Sequence, residues 1–250
     1  MMAGAVRETP WVQRVRGVQG RGACGIDRPL KVSALANGGV AIGPSATINC
    51  PMTATVERWL GQAVQPAAMA WFGSPVVSIK QISAYACRSK NNEAGASLSE
   101  HAFGNALDVA GFMLADGRVV EVLSGWNGDD PNGRGFLRDV LVASCTYFKT
   151  VLGPGVKYHN DHFHFDLAHH NKAGTSRYCR PKLESVPPRP GSGGFVAGIG
   201  GGIDALISGF APGELLDRPP ASLIASEFAD PFGVFNGDVE DPGYTDYTDH

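Results

Sequence analysis

The stretch LSEHAFGNALDVAGFMLADGR, residues 98–118, contains the features that decide the fold. An apolar run covers residues 106–114, the pair Asp116-Gly117 follows, and a second run extends over residues 118–123. Because Asp-Gly supplies the positive φ angles of a type I′ turn, the two runs predict a β-hairpin. Gly104 allows a tight turn before the first strand. This turn would bring the polar residues that precede Gly104 back against the hairpin.

The segments around this hairpin predict both helices and strands. Helical spacing of apolar residues over 51–72, with Asn49 as N-cap and Pro66 as a break or kink, predicts one or two helices. Residues 76–85 are rich in β-branched side chains and predict a strand, whereas residues 136–152 return to a helical period. The expected fold class is therefore α+β, with a small antiparallel sheet flanked by helices.

Composition divides the chain into three parts. Residues 1–22 are polar and rich in Gly and Arg, which predicts a loose leader, and residues 23–181 are expected to form one domain. Residues 182–250 are rich in Pro and Gly, carry 11 Asp and Glu against 3 Lys and Arg, and predict a disordered tail. The basic residues lack the clustering with aromatics typical of a nucleic-acid groove, and no apolar run reaches the roughly 18 residues of a membrane span.

The five cysteines are widely spaced and form no C-x-x-C pair, which argues against a zinc ribbon or a thioredoxin-like motif. We expect two intradomain disulfides, with Cys145 and Cys179 as one candidate pair, although spacing leaves the connectivity open. Disulfides persist in oxidising compartments, so a periplasmic or secreted protein is expected. Residues 1–15 contain no apolar run of signal-peptide length, and we therefore expect the export signal to lie upstream of a truncated start.

The densest polar cluster joins the opening stretch to DHFHFD, residues 161–166, within a strand predicted over residues 156–167. Alternation along a strand puts His162, His164 and Asp166 on one face and the phenylalanines on the other. Asp108 would begin the neighbouring strand, and the turn at Gly104 would bring His101 to the same point. Two imidazoles and one carboxylate would then converge.

These three side chains, His101, Asp108 and His164, match the ligand set of catalytic zinc, which leaves its fourth position to water. Such a metal lowers the pKa of its water, and a nearby base, either His162 or Asp161, would accept the proton. Simpler interpretations also exist. An H-x-H pair is more often a surface or satisfied core feature than a metal site, and an isolated Asp is more often a cap or turn residue.

Several segments together resemble a known family, the extensin-like C-terminal domain proteins of bacteria, which are in turn similar to D-Ala-D-Ala carboxypeptidases and lysostaphin-type metallopeptidases. The resemblance covers residues 24–180. It is carried by CGIDRPL (24–30), NCPMTATVERWL (49–60), FGSPVV (72–77), SAYACRS (83–89), residues 98–118 quoted above, DHFHFDLA (161–168) and RYCR (177–180).

The metallopeptidase resemblance implies one zinc ion per chain, bound by His101, Asp108 and His164. It also implies that His162 is the base or a hydrogen-bond donor to the transition state. In the D-Ala-D-Ala branch the base is instead a Glu three residues before the last ligand, and Asp161 occupies that place here.

The same resemblance implies roles in substrate binding. Arg88 would orient a carboxylate or carbonyl of the substrate through its fork of donors, and Ser99 would help to hold the peptide. The expected activity is zinc-dependent hydrolysis of a peptide bond in stem or cross-link peptides of peptidoglycan, by a monomer. The alternatives are a wall-binding or structural module, with peptidoglycan or another cell-wall polymer as partner and no hydrolysis, or a purely structural metal.

Overall fold

The structure is a computed structural model that describes residues 6–183 and 188–190 of the 250-residue chain. Its strands are β1 (Val12–Arg14), β2 (Val18–Gln19), β3 (Gly25–Ile26), β4 (Pro29–Leu35), β5 (Val40–Asn49), β6 (Val76–Ser83), β7 (Ala106–Leu114), β8 (Val119–Glu121), β9 (Thr150–Leu152), β10 (Phe163–Asp166) and β11 (Tyr178–Arg180). Its α-helices are α1 (Cys50–Trp59), α2 (Gln65–Phe72), α3 (Val122–Gly125) and α4 (Pro131–Tyr147).

One sheet dominates this part of the chain, with the strand order β1-β4-β5-β6-β7-β10-β9-β11 and with β8 paired to part of β7. Neighbouring strands are antiparallel except for the parallel pairs β5/β6 and β9/β11. The two remaining strands, β2 and β3, form a separate antiparallel pair. The expected combination of helices with a largely antiparallel sheet is confirmed, although the sheet is larger than predicted and mixed.

The core lies between the helices and one face of the sheet. Trp59 of α1 is fully buried, with its ring centroid 5.1 Å from that of Phe165 and 6.3 Å from that of Phe112. Its indole N–H donates to the Ser144 hydroxyl of α4 at 2.8 Å. Because side chains alternate along β10, the helices cover the Phe165 face and leave the His164 face for the cleft described below.

The segment predicted as one or two helices is a continuous helical rod. Asn49 caps α1 as predicted, with its side-chain oxygen accepting from the Met52 amide at 2.8 Å. A π-helical turn, Leu60–Val64, links α1 to α2, and Pro66 is the second residue of α2. Since proline cannot donate a backbone hydrogen bond, the wider turn accommodates it without ending the helix.

The predicted hairpin forms, but with a different turn and a shorter second strand. Positive φ occurs at Gly117 and not at Asp116, so the turn is not type I′. The Gly117 amide donates to the Leu114 carbonyl at 3.0 Å, which closes a three-residue loop whose last residue is left-handed. Strand β8 ends at Glu121 instead of continuing to residue 123, because α3 begins at Val122.

Two further boundaries differ from the sequence prediction. Helix α4 begins at Pro131, capped by Asp130, and ends at Tyr147, whereas the prediction covered residues 136–152. Asp followed by Pro is a start signal that periodicity alone misses. The final strand is confined to β10, and residues 153–162, which were partly predicted as strand, form a loop instead.

Part of the predicted leader belongs to the sheet. Strand β1 lies within residues 1–22 and pairs with β4, where Val12 is buried opposite Val32. An edge strand needs hydrogen bonds on one side only, so a short polar segment can form it without an apolar run. The predicted tail lies mostly outside the described residues. Among those residues, no helix has the length and apolar character that crossing a membrane requires.

Two disulfides connect elements of this domain, as expected. Cys145 of α4 bonds to Cys179 of β11, the candidate pair, and Cys24 bonds to Cys87 after β6. The fifth cysteine, Cys50, is free and half-buried. Two disulfides are consistent with the extracellular or periplasmic location that cysteine usage predicted.

The tight turn at Gly104 provides a test of the fold. Gly104 has φ +59°, and a Cβ there would lie 2.2 Å from the Cδ1 atom of buried Ile26. Gly73 has a similar φ of +65° but open space around it. We expect Gly73→Ala to lower the free energy of unfolding by about 1 kcal/mol and Gly104→Ala by about 3 kcal/mol, because only the latter adds a steric clash. Urea denaturation of both variants measures the difference; equal losses would contradict it.

Candidate metal centre

Three elements bring the predicted ligands together at the centre of the sheet. Asp108 in β7 lies directly opposite His164 in β10 in the antiparallel register. His101 comes from a 3₁₀ turn, Glu100–Phe103, which Ser99 begins and Gly104 ends in the left-handed conformation. The turn places the imidazole of His101 above the two strands, and all three side chains are buried.

The ligand atoms converge closely enough to hold one metal ion. The Nε2 atom of His101 lies 3.1 Å from the Oδ2 atom of Asp108 and 3.2 Å from the Nδ1 atom of His164. The Nδ1 atom of His164 lies 2.8 Å from the Oδ1 atom of Asp108. One ligand atom from each residue falls within 4.8 Å of the others. Two imidazoles and a carboxylate are a donor set that suits zinc and other divalent transition metals.

Each metal-facing histidine is oriented by a hydrogen bond on its other nitrogen. The Nδ1 atom of His101 lies 2.6 Å from the Ala84 carbonyl oxygen, which can only accept, so Nδ1 donates and Nε2 is directed to the centre. The Nε2 atom of His164 lies 3.0 Å from the Oδ2 atom of Asp166. Asp166 is itself held by the amide of Ala168, which donates to its Oδ1 atom at 2.9 Å. Such outer partners fix the ring orientation that a metal requires.

The electrostatics of the cluster follow from this arrangement. Burial alone would raise the pKa of Asp108, but the charge of His101 and hydrogen bonds with His101 and His164 hold that pKa well below its usual range. Burial opposes protonation of His164, yet hydrogen bonds to Asp108 and Asp166 raise its pKa to about 9. At neutral pH this raised pKa favours a His164 ring with a proton on each nitrogen, and a metal bound at Nδ1 would replace the proton there.

The two proposed bases lie together at the edge of the centre. His162 precedes β10, and its Nε2 atom is 3.8 Å from the Oδ2 atom of Asp108. Its Nδ1 atom lies 2.8 Å from the Oδ1 atom of Asp161, whose side chain is 56% exposed. A carboxylate accepts only, so Nδ1 donates, and Nε2 is the nitrogen that lies nearest to the ligand Asp108. The imidazole therefore stands between Asp161 and the ligands.

A fourth histidine, His159, was missed by the sequence prediction. Its ring centroid is 5.1 Å from that of His162 and 5.8 Å from that of His164. Its Nδ1 atom donates to the Lys157 carbonyl at 2.8 Å, and burial lowers its pKa, which disfavours the protonated ring. The spacing H-x-x-H-x-H over residues 159–164 was the available signal, but residues 156–167 were predicted as one strand, in which His159 would face away from His162.

A cleft of about 590 Å³ opens over this centre. Arg88 and Ser99, predicted to bind substrate, both line it. Arg88 is half-buried, and its guanidinium belongs to no ion pair within residues 6–183 and 188–190. The buried Ser99 hydroxyl accepts from the His101 amide at 3.4 Å, so Ser99 also supports a ligand.

Comparison with known proteins gives one match. The family model described as Extensin-like protein C-terminus matches residues 4–180 of the chain. No curated protein and no solved structure matches in the other two comparisons. The matched range contains all eleven strands and four α-helices given above, together with the metal centre.

The role of Asp166 can be tested through metal affinity. Asp166→Ala removes the acceptor that orients His164 and should weaken zinc binding about 10- to 100-fold. Glu100→Gln is a matched control, because this acid lines the same cleft but bonds to the Asn105 amide at 2.6 Å and to none of the ligands. Competition with a chromophoric chelator measures both affinities. Unchanged affinity in Asp166→Ala would contradict an orienting role.

Proposed function

This chain belongs to the Extensin-like protein C-terminus family, and we propose that it is a zinc-dependent peptidase of the bacterial cell wall. Its substrate would be a peptide bond in the stem or cross-link peptides of peptidoglycan. The observation that carries this proposal is the buried group His101, Asp108 and His164 at the base of an open cleft, with His162 beside it. The resemblance to D-Ala-D-Ala and lysostaphin-type metallopeptidases noted in the sequence supports the same activity and a related fold.

The donor set fits a catalytic rather than a structural zinc ion. Structural zinc takes four protein ligands, whereas catalytic zinc takes three and leaves one position open. Three ligands converge here, and a cleft lies over them. A bound zinc ion supplies Lewis-acid activation of a water molecule and of the substrate carbonyl.

His162 is the general base in this proposal. Its Nδ1–H group donates a hydrogen bond to Asp161, so Nε2 is the nitrogen that can act as the base. The imidazole can therefore take a proton at Nε2 from the attacking water and later deliver it to the leaving amine. Asp161 is a positioning residue, because the imidazole of His162 separates it from the reacting atoms. Its carboxylate holds the tautomer of His162 that is protonated at Nδ1 and stabilises the imidazolium that forms.

The remaining cleft residues would bind and orient the substrate. Arg88 offers a planar fork of donors to a carboxylate or carbonyl oxygen. The neutral His159 presents its second nitrogen beside His162 and can accept a hydrogen bond from the attacking water or from the peptide. Burial of the ligands excludes bulk water, which strengthens these interactions.

The metal requirement is tested first. Purified protein should bind about one zinc ion per chain, and His101→Ala should abolish this binding, because two remaining ligands cannot hold the ion tightly. Zinc content is measured by atomic absorption after dialysis. Circular dichroism checks that the variant folds. A folded wild-type chain that retains no zinc would refute the metal centre.

Hydrolysis is tested separately with isolated peptidoglycan. Zinc-loaded wild-type protein should release new amino termini or free D-Ala, detected by labelling and mass spectrometry. His162→Ala should keep its zinc and lose about 10²- to 10⁴-fold in rate, as expected for loss of a general base. Asp161→Asn should lose less, because the imidazole remains.

The outcomes also separate the alternatives. If zinc-loaded protein co-sediments with peptidoglycan and releases nothing, the wall-binding module is the correct function. If His162→Ala leaves every measured property intact while His164→Ala unfolds the domain, the metal is structural.

A further inference from the structure

We propose that Thr150 and His170 are positioning residues of the metal centre, which hold the acid that orients His164. Together with that acid, Asp166, they form a hydrogen-bonded group that we call the Asp166 network. Neither Thr150 nor His170 belongs to the set of site residues that the sequence predicted. The inference rests on the proposed metal centre and adds to it the side chains that keep one of its ligands in place.

The strand register brings Thr150 next to Asp166. Thr150 in β9 lies directly opposite Asp166 in β10, and Tyr178 in β11 lies opposite Thr150 on its other side. Side chains directly opposite each other on neighbouring strands project from the same face of a sheet. His164 lies two residues before Asp166 and projects from that face as well. All four residues line the cleft.

The hydroxyl of Thr150 completes the donors around the Asp166 carboxylate. The imidazole of His164 lies at Oδ2 of this carboxylate, and the amide of Ala168 donates to Oδ1. Burial alone would raise the pKa of Asp166, but the charge of the imidazole and hydrogen bonds with His164, Thr150 and Ala168 lower it. A carboxylate with three donors can rotate only by losing one of them. The oxygen that orients His164 is therefore held in place.

His170 extends the network to the exposed wall of the cleft. Its Nε2 atom lies 2.9 Å from the Oγ1 atom of Thr150. A hydroxyl has a single proton and a carboxylate only accepts, so Thr150 donates to Asp166 and accepts from the Nε2–H group of His170. The exposed ring of His170 also lies beside Tyr178, with centroids 6.3 Å apart. Each hydrogen bond of the network is thus directed toward Asp166.

The backbone that carries Thr150 is fixed on both sides. Strand β9 lies between β10 and β11, and Cys179 of β11 is bonded to Cys145 of α4. The next residue, Val151, is buried opposite Phe165 in the core. A side chain on such a support is already ordered before a ligand binds, which lowers the entropic cost of assembling the site.

A structural role is the simpler interpretation of Thr150, because threonine is common in strands. The two interpretations differ in the expected effect of valine. Thr150→Val keeps the size and the β-branched shape of the side chain but removes the hydroxyl. A merely structural residue would change the stability of the fold on this substitution, whereas a positioning residue would change the affinity for the metal.

Zinc affinity of the full chain tests the network, by competition with a chromophoric chelator. Thr150→Val should raise the Kd for zinc about 3- to 10-fold, less than Asp166→Ala, because Thr150 lies one hydrogen bond further from the ligand. Thr150→Ser retains the hydroxyl and should restore most of the affinity. Thermal unfolding of the metal-free variants measures stability separately. An unchanged Kd in Thr150→Val, or an equal rise in Thr150→Ser, would overturn the inference.

A double variant distinguishes positioning from a general loosening of the sheet. If Thr150 acts through Asp166, Thr150→Val should cause no further loss of zinc affinity in a chain that already carries Asp166→Ala. Additive losses would mean that Thr150 affects the metal by another route, and they would overturn the network.

His170 is tested with a matched pair of variants. His170→Leu should raise the Kd for zinc about threefold, as expected for the loss of one exposed hydrogen bond. His169→Leu is the control, because His169 is the adjacent exposed histidine and lies outside the lining of the cleft. Equal effects of the two substitutions would contradict the role of His170.

The same measurements separate failure of this inference from failure of the proposed function. If Thr150→Val weakens zinc binding through Asp166 but the zinc-loaded wild type releases nothing from peptidoglycan, the network is correct and the peptidase activity is wrong. If peptidoglycan is hydrolysed while the Thr150 variants bind zinc as tightly as the wild type, the activity is correct and the network is wrong. A wild-type chain that binds no zinc would overturn both.

Discussion

The cross-strand pair of Asp108 and His164 is the contact on which the rest of the site depends. Because side chains alternate along a strand, a slip of one residue between β7 and β10 would turn His164 into the core and Phe165 into the cleft. The stacking of Phe165 on Phe148, with centroids 4.6 Å apart, and its contact with Trp59 prevent that slip. The same packing that stabilises the fold therefore fixes the distance between two metal ligands.

The buried charges of the centre explain why it suits a cation. A carboxylate as deeply buried as Asp108 is stable only when positive charge or donors surround it. In the metal-free chain, the charge of His101 and hydrogen bonds with His101 and His164 stabilise this carboxylate, and Asp166 lies on the far side of His164. A divalent ion held by His101, Asp108 and His164 would supply positive charge to the same carboxylate.

The sequence predicted those features that depend on local pattern. The alternation in residues 161–166 and the turn at Gly104 follow from the pleat and from backbone sterics, so the convergence of His101, Asp108 and His164 could be predicted. Features set by tertiary contacts could not. Strand β1 is held by backbone bonds to β4, which leave no apolar signature, and His159 reaches the centre only because residues 153–162 fold back as a loop.

The second layer of histidines bears on whether a metal here would be structural or catalytic. A structural site gains nothing from imidazoles that stand near the ion without binding it. His162 and His159 each have one nitrogen bound to an acceptor, which is Asp161 for His162 and the Lys157 carbonyl for His159, and both residues line the cleft. An imidazole held in this way could accept a proton or a hydrogen bond through its second nitrogen. In the proposed peptidase this layer would serve proton transfer, whereas a purely structural metal would make no use of it.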